Sequence, residues 1–280
     1  MAEHKHVHLH RWAGSKARIL GELMAVLTEA PRRGGRKEVA VVPFWGSGAD
    51  GRALRAAGYE VWGGDVCGPL VAAHVAVRDE PCKLAAELAP LDGAGREEYA
   101  RIASGEAGLS EGARFLALVG MSFNGLWRVN KKGKYNVPFG QRFTFDRATL
   151  MEASRQMKGC ALWAMDWCDT LTAVGRDAPR CLVYADPPYF GTFSGFAAGG
   201  FGKSEHATLA HSLTKLAAAG ARVVASNRDC PEVRALYAEA ARAHGVPVAF
   251  RTLTARRSIS CKSSTRGSAG ELLVVMELAG

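Results

Sequence analysis

The run from Glu38 to Asp65 constrains the fold more than any other part of the chain. Glu38-Val39-Ala40-Val41-Val42-Pro43-Phe44 is a short apolar run rich in β-branched residues, and it leads into Gly46-Ser47-Gly48. A helical pattern follows from Ala49 to Ala57, and Tyr59-Glu60-Val61-Trp62-Gly63 then reads as a second strand with Asp65 just past its end. Strand, glycine turn, helix and strand in this order form a βαβ-type unit.

The rest of the chain extends that unit. Pro69 to Gly120 is helical in pattern, with breaks near Pro81, from Pro90 to Gly95 and from Gly105 to Gly108. Leu126 to Val137 alternates on both sides of Asn130-Lys131-Lys132-Gly133 and reads as a basic β-hairpin. A helix is expected near Asp146 to Met157. Strand-type runs resume at Ala161 to Met165, Arg180 to Tyr184, Arg222 to Ser226, Pro247 to Thr254 and Glu271 to Leu278. Helices fit between them at Ser204 to Ala219, with Ser204 as the N-cap, and at Pro231 to His244. Alternating strands and helices imply an α/β fold with a mostly parallel, doubly wound sheet. Residues 1–80 and 160–280 would form the sheet domain and 81–159 an inserted helical and hairpin unit.

The chain has 280 residues, 48% of them apolar and 22% charged, which is ample for a large core, and no apolar run is long enough to cross a membrane. No apolar segment of signal-peptide type opens the chain, so a cytoplasmic protein is expected. The seven cysteines form no C-x-x-C pair and read as reduced core residues. His4, His6, His8 and His10 alternate, yet a disordered basic arm explains them better than a metal site, and no metal is expected. The formal charge of +9 concentrates between Arg128 and Arg142 and between Arg251 and Arg266, which suits a polyanionic partner and, taken alone, equally a solvated basic face.

Asp186-Pro187-Pro188-Tyr189 follows the apolar run Cys181 to Ala185 and carries the chemistry. Two prolines force the backbone out of the sheet and fix the Pro187 carbonyl. An exocyclic amine on a base has two N–H donors, which the Asp186 carboxylate and the Pro187 carbonyl could accept while Tyr189 stacks on the ring. Two acceptors pulling on those protons favour a pyramidal nitrogen with a localised lone pair. The same four residues, alone, also suit a strand-ending turn.

Gly46-Ser47-Gly48-Ala49-Asp50-Gly51 is a literal G-x-G-x-x-G, so a nicotinamide dinucleotide is one possible ligand. S-adenosyl-L-methionine carries the same ribose with an amino-acid tail. Arg11-Trp12-Ala13-Gly14-Ser15-Lys16 tips the choice towards it, since Lys16 could pair with a carboxylate and Trp12 could cover the ligand. Asp166, after the strand Ala161 to Met165, could accept from an adenine or simply end the strand.

With these clusters in order, the chain resembles the Dam-like, class D12 DNA adenine N6-methyltransferases. The carrying residues are Arg11 to Lys16, Pro43 to Gly48, Asp65, the long block from Phe123 to Gly140, Asp186 to Tyr189 and Arg256-Arg257-Ser258-Ile259-Ser260. The resemblance implies a seven-stranded Rossmann-like methyltransferase sheet, mostly parallel with an antiparallel C-terminal strand, and an inserted target recognition unit. It implies S-adenosyl-L-methionine as donor, held by Trp12, Lys16, Phe44, Gly46, Gly48, Asp65, Asp166 and Asp186, with Asp186, Pro187, Pro188 and Tyr189 as catalytic motif. Double-stranded DNA would be met by Arg11, Phe123, Asn124, Leu126, Arg128, Asn130, Lys132, Asn136, Pro138, Arg256 and Arg257. Arg128 is the candidate for a bidentate guanine contact, and GATC is the expected site. Val42 departs from the pattern, standing where members carry an acid, and a monomer is favoured over a dimer. Methylation of RNA or of another amino group, a nicotinamide-dependent oxidoreductase and a silent DNA-binding module are the alternatives.

Overall fold

In a computed structural model, residues 7–29, 38–192, 200–253 and 271–278 are described. Seven strands make one sheet: β1 (Val39–Val42), β2 (Glu60–Asp65), β3 (Ala161–Ala164), β4 (Cys181–Ala185), β5 (Arg222–Arg228), β6 (Val248–Leu253) and β7 (Glu271–Met276). Their order is β3-β2-β1-β4-β5-β7-β6, and only β7 runs antiparallel to its neighbours. The expected seven-stranded, mostly parallel sheet with an antiparallel C-terminal strand is what forms.

β1 is buried along its whole length, as a central parallel strand with both faces covered must be. Ala40 and Val42 join the core on one face with α1 (Leu20–Leu27), α2 (Ala49–Ala56) and α3 (Gly68–Asp79). Val39 and Val41 join the other, beneath α8 (Trp167–Thr172), α9 (Lys203–Ala218) and α10 (Pro231–His244). Between β2 and β3 lie α4 (Pro81–Leu88), α5 (Arg96–Ser104), α6 (Glu111–Met121) and α7 (Arg147–Met157). Their apolar faces, including Leu84, Phe115 and Leu150, are continuous with the first core.

Several local expectations are corrected. Asp65 is the last residue of β2 and not beyond it. Helix α9 starts one residue early with Gly202 as N-cap, because the Glu205 carboxylate accepts the Gly202 N–H at 2.9 Å, so Ser204 is not the cap. The hairpin at residues 126–137 is shorter than expected: its arms pair at the single antiparallel bridge Val129–Tyr135, flanked by Asn130 N–H to the Lys134 carbonyl and Asn136 N–H to the Arg128 carbonyl, and the Asn130 side chain accepts the N–H groups of Lys132 and Lys134. An asparagine able to satisfy two turn amides competes with a ladder. Cys82 and Cys168 are exposed, whereas Cys67, Cys160 and Cys181 are buried. The helices α1 and α8 were not anticipated. Of the glycine-rich stretch from Gly191 to Gly202, residues 193–199 lie outside the described residues.

Candidate active site

The carboxyl ends of β1 and β4 are adjacent, and the strand order reverses there, which is where open α/β sheets bind ligands. Beyond β1 the chain turns through Gly46 and Gly48, both in the left-handed region. Asp65 holds that turn: its Oδ2 accepts the Gly46 N–H and its Oδ1 the Cys67 N–H, each at 2.9 Å. Burial pushes the Asp65 carboxyl up, and the two amides pull it back. Asp65 thus shapes the glycine turn directly and has only its remaining lone pairs for a ribose.

Trp45 fills the space beneath the turn. A Cβ on Gly51 would lie 2.2 Å from the Trp45 ring, one on Gly63 2.3 Å, and one on Gly48 2.7 Å. Two of the three glycines of the G-x-G-x-x-G pattern therefore make room for an indole. Trp12 stands above Gly46, where a Cβ would meet its ring at 3.2 Å, and Ser15 bridges to Ser47 at 3.0 Å. The segment from Arg11 to Lys16 thus lies against the glycine turn.

Lys16 is buried, and its Nζ sits 2.6 Å from Asp186 Oδ2, 3.8 Å from Glu271 Oε1 and 4.9 Å from the Tyr189 ring centre. Burial lowers the Lys16 pKa, but Asp186, Glu271 and Asp50 overcome it and the net direction is up. Burial likewise pushes the Asp186 carboxyl up to about 7 against the pull of Lys16. The second oxygen, Asp186 Oδ1, is buried without a hydrogen-bond partner, as is Tyr189 Oη. A buried carboxylate oxygen without a donor is costly unless a ligand supplies one. Asp50, pushed up to about 6 mainly by its burial, and Glu271 are site carboxylates the sequence reading missed. Their signal was a charge inside apolar surroundings, in the first turn of α2 and at the head of Glu271-Leu272-Leu273-Val274-Val275.

The remaining cofactor candidates flank this point. Phe44 stacks at 6.4 Å on Trp167 and meets Phe201 edge-on. Asp166 is exposed and caps α8, accepting the Cys168 N–H at 2.9 Å, so the strand-end role is the one it fills. S-adenosyl-L-methionine fits what is present: an orphaned Asp186 oxygen and a glycine turn packed on Trp45 with Trp12 standing over Gly46.

The nucleic-acid candidates form an exposed ridge. Phe123 is 54% exposed and Leu126 39%, while Asn124, Arg128, Asn130, Lys132, Asn136 and Pro138 are exposed beside them. Asn124, with φ 56°, is the one described non-glycine residue in the left-handed region. Arg128 Nε donates to Asn136 Oδ1 at 2.8 Å and its Nη2 to the Asn136 carbonyl at 3.1 Å. One edge of the exposed guanidinium is thereby held by Asn136. A Cβ on Gly125 would approach Arg11 Cβ to 2.5 Å, so Arg11 belongs to the same ridge. Trp127 anchors it, packing on Phe115 at 4.8 Å and Tyr135 at 5.0 Å. Arg256 and Arg257, like His4, His6, Ser258, Ser260, Cys261 and Arg266, lie outside the described residues.

His10 does not belong to a disordered arm. Its ring meets His74 at 5.2 Å, Phe115 at 5.6 Å and Trp12 at 5.8 Å, and both nitrogens are buried without partners. The aromatic pocket outweighs the polarity of the alternating run. Among the described residues, no group of three His, Cys, Asp or Glu could hold a metal ion, and no helix is long and apolar enough to cross a membrane.

A family model for D12 class N6 adenine-specific DNA methyltransferases matches residues 12–250. Over 283 residues the chain is 29% identical to a DNA N-6-adenine-methyltransferase of Escherichia phage P1, covering 96% of this chain and 35% of that protein. It is 27% identical to the retron Ec67 DNA adenine methylase of Escherichia coli, covering 95% of this chain and 90% of that one. A DNA adenine methylase of Salmonella typhi is 30% identical over 170 residues, 58% of this chain and 57% of that protein. The chain thus spans about a third of the phage protein and nearly all of the retron protein. With the model matching most of its length, the chain belongs to the D12 class N6 adenine-specific DNA methyltransferase family.

Proposed function

We propose that this chain methylates the N6 amino group of an adenine swung out of double-stranded DNA, using S-adenosyl-L-methionine as the methyl donor. The observation that carries this reading is Asp186 Oδ1, a buried acceptor without a partner at the carboxyl end of β4, beside Tyr189 and with the other oxygen held by Lys16. N6 cannot reach such a recessed acceptor from within a stacked duplex, so the base must leave it, at a cost of a few kcal/mol. Tyr189 stacking and the hydrogen bonds to the amine offset that cost.

The donor supplies an electrophilic sulfonium methyl group. Trp12, Phe44, Gly46 and Asp65 would hold it against the glycine turn. Lys16 keeps Oδ2 committed, leaving Oδ1 to accept one N6 proton while the Pro187 carbonyl accepts the other. The amine nitrogen is thereby made pyramidal, with its lone pair directed at the methyl group. As the N6–methyl bond formed and the donor's sulfur–methyl bond broke, leaving S-adenosyl-L-homocysteine, the excess N6 proton would pass to Asp186 Oδ1. Alignment carries most of the rate, with no covalent enzyme intermediate. The residues from Phe123 to Pro138, with Arg11, would lie on the duplex, with Arg128 reading a guanine edge and Phe123 or Asn124 filling the gap left by the base. GATC is the sequence to try first.

A nicotinamide dinucleotide is the weaker reading. Gly48 and Gly51 are occupied by Trp45, and Asp186, Lys16 and Glu271 would have no role. The test is incubation with labelled S-adenosyl-L-methionine and duplexes that differ at single positions, followed by nucleoside analysis. N6-methyladenine is expected from the wild type and none from Asp186→Ala, with duplex affinity kept. Normal turnover by Asp186→Ala would end this reading of the site.

A further inference from the structure

Tyr189 is the residue on which a swung-out base would stack, and what fixes its position lies outside the catalytic motif. The peptide linking Tyr189 to Phe190 is gripped at both ends. The Tyr189 carbonyl accepts the Thr192 N–H at 3.0 Å and the Thr192 hydroxyl at 2.6 Å. The Phe190 N–H donates at 3.0 Å to Oδ1 of Asn227, a residue on β5 with no exposed surface. Because a peptide unit is planar, these two grips fix the Cα atoms on either side of it.

Asn227 is itself oriented. Its Oδ1 also accepts the Arg228 N–H at 2.8 Å, so two amides require the oxygen on that side and leave Nδ2 facing the other way. There Nδ2 meets His206 Nδ1 at 3.4 Å, and His206, on α9, is only 2% exposed. Nδ2 is a donor, so His206 Nδ1 is the acceptor and the ring is neutral with its proton on Nε2. Phe190 at 5.3 Å and Phe201 at 4.7 Å hold that ring, and Phe201 in turn touches Phe44 on the cofactor side.

We propose that Asn227, oriented by His206, is the positioning residue that holds Tyr189 where the target base stacks. The inference rests on the methyltransferase reading above. Asn227 touches neither base nor donor, so its loss should lower the methyl-transfer step and leave ligand affinities alone. Small misplacements of aligned groups cost rate steeply.

The experiment compares wild type, Asn227→Ala and Asn227→Asp in single-turnover methylation of a cognate duplex, with dissociation constants for the duplex and for S-adenosyl-L-methionine measured alongside. Asn227→Ala is expected to be slowed about tenfold or more with both affinities within about twofold. Asn227→Asp keeps an acceptor for both amides, and His206 can donate to it from its other tautomer, so most of the rate should return. An undiminished rate in Asn227→Ala, or equal losses in the alanine and aspartate variants, overturns the proposal. Should Asn227→Ala not fold, His206→Phe decides alone, because it keeps the aromatic packing and removes only the acceptor facing Nδ2: a slowed rate with unchanged affinities supports the proposal and a wild-type rate overturns it. A wild type that makes no N6-methyladenine sinks the functional reading and this inference with it, whereas an active wild type with indifferent variants sinks the inference alone.

Discussion

Lys16 Nζ lies 2.6 Å from Asp186 Oδ2 although the two residues are far apart in sequence, and the pair leaves Asp186 Oδ1 as the acceptor of the site. Glu271 and Asp50 face the same ammonium, so the carboxylates outnumber the cation. Such a pair is held together by mutual need: removing one charge strands the other in a dry environment.

This relationship sets a pH dependence. Burial pushes the Asp186 carboxyl up to about 7, with Lys16 opposing, so the free enzyme loses its charged acceptor as pH falls through neutrality. Methylation should therefore rise with pH along a limb centred near 7. In Lys16→Met the opposing charge is gone and the limb should move to higher pH, with activity at pH 7 down about tenfold or more at saturating donor and partly recovered by pH 9. Rate profiles of the two proteins from pH 5.5 to 9.5 check this, and parallel profiles would show that Lys16 does not govern the charge of Asp186.

The glycine turn makes a steric prediction. A Cβ on Gly51 would stand 2.2 Å from the ring of Trp45, which is 1% exposed and has nowhere to go. Gly51→Ala should cost about 1–3 kcal/mol by overpacking. The same alanine in a Trp45→Phe background should cost much less, because the smaller ring vacates the contact. Denaturant unfolding of the four proteins measures the coupling, and additive losses would exclude a clash with Trp45.

How far the sequence led depends on the range of the interaction. The first βαβ unit, the breaks between the inserted helices and the helix near Asp146 to Met157 are local pattern, and each was legible. Lys16 was read as a partner for the carboxylate of the donor's amino-acid tail, whereas in the structure its ammonium meets Asp186 and Glu271, a tertiary fact that no local pattern carries. Trp45 beneath its three glycines was hidden, since the G-x-G-x-x-G string looks alike whether a ligand or an indole occupies the space. His10 was misjudged because its alternation with His4, His6 and His8 is a local signal, while the pocket of His74, Phe115 and Trp12 assembles from distant segments. The hairpin forms but pairs at one bridge only, since the Asn130 side chain takes the Lys134 amide that a longer ladder would use.

Arg128 should govern sequence discrimination. Its guanidinium is exposed and held on one edge by Asn136, so Arg128→Ala should weaken discrimination at one base pair by about tenfold or more. Arg128→Lys should not restore it, since an ammonium lacks the planar fork. Asn136→Ala, which frees the guanidinium, should fall between. Competition among duplexes altered at single positions reads this out, and a discrimination pattern unchanged in Arg128→Ala would remove this side chain from base readout.

The buried histidine pair should make the fold sensitive to mild acid. Burial, assisted by Arg52, holds His10 down at about 3, and burial with His10 and Arg52 beside it holds His74 well below its usual value of 6.5. Above pH 6.5 both rings are neutral folded or unfolded, and their packing contributes in full. As pH falls below 6.5 the unfolded chain takes up protons that the folded rings refuse, so this contribution is lost progressively towards about pH 3. Other groups titrate in the same range, with Asp186 and Asp50 pushing the opposite way, so the informative quantity is a difference between proteins. In His10→Phe the residue that cannot be charged in place is replaced by a ring suited to Trp12 and Phe115. Relative to wild type, its unfolding free energy should improve by about 1.4 kcal/mol for each pH unit below 6.5. Urea titrations of both proteins at pH 8, 6 and 5 give that difference directly, and a gap that stays constant over the three values would mean that His10 takes up its proton in the folded protein as readily as in the unfolded chain.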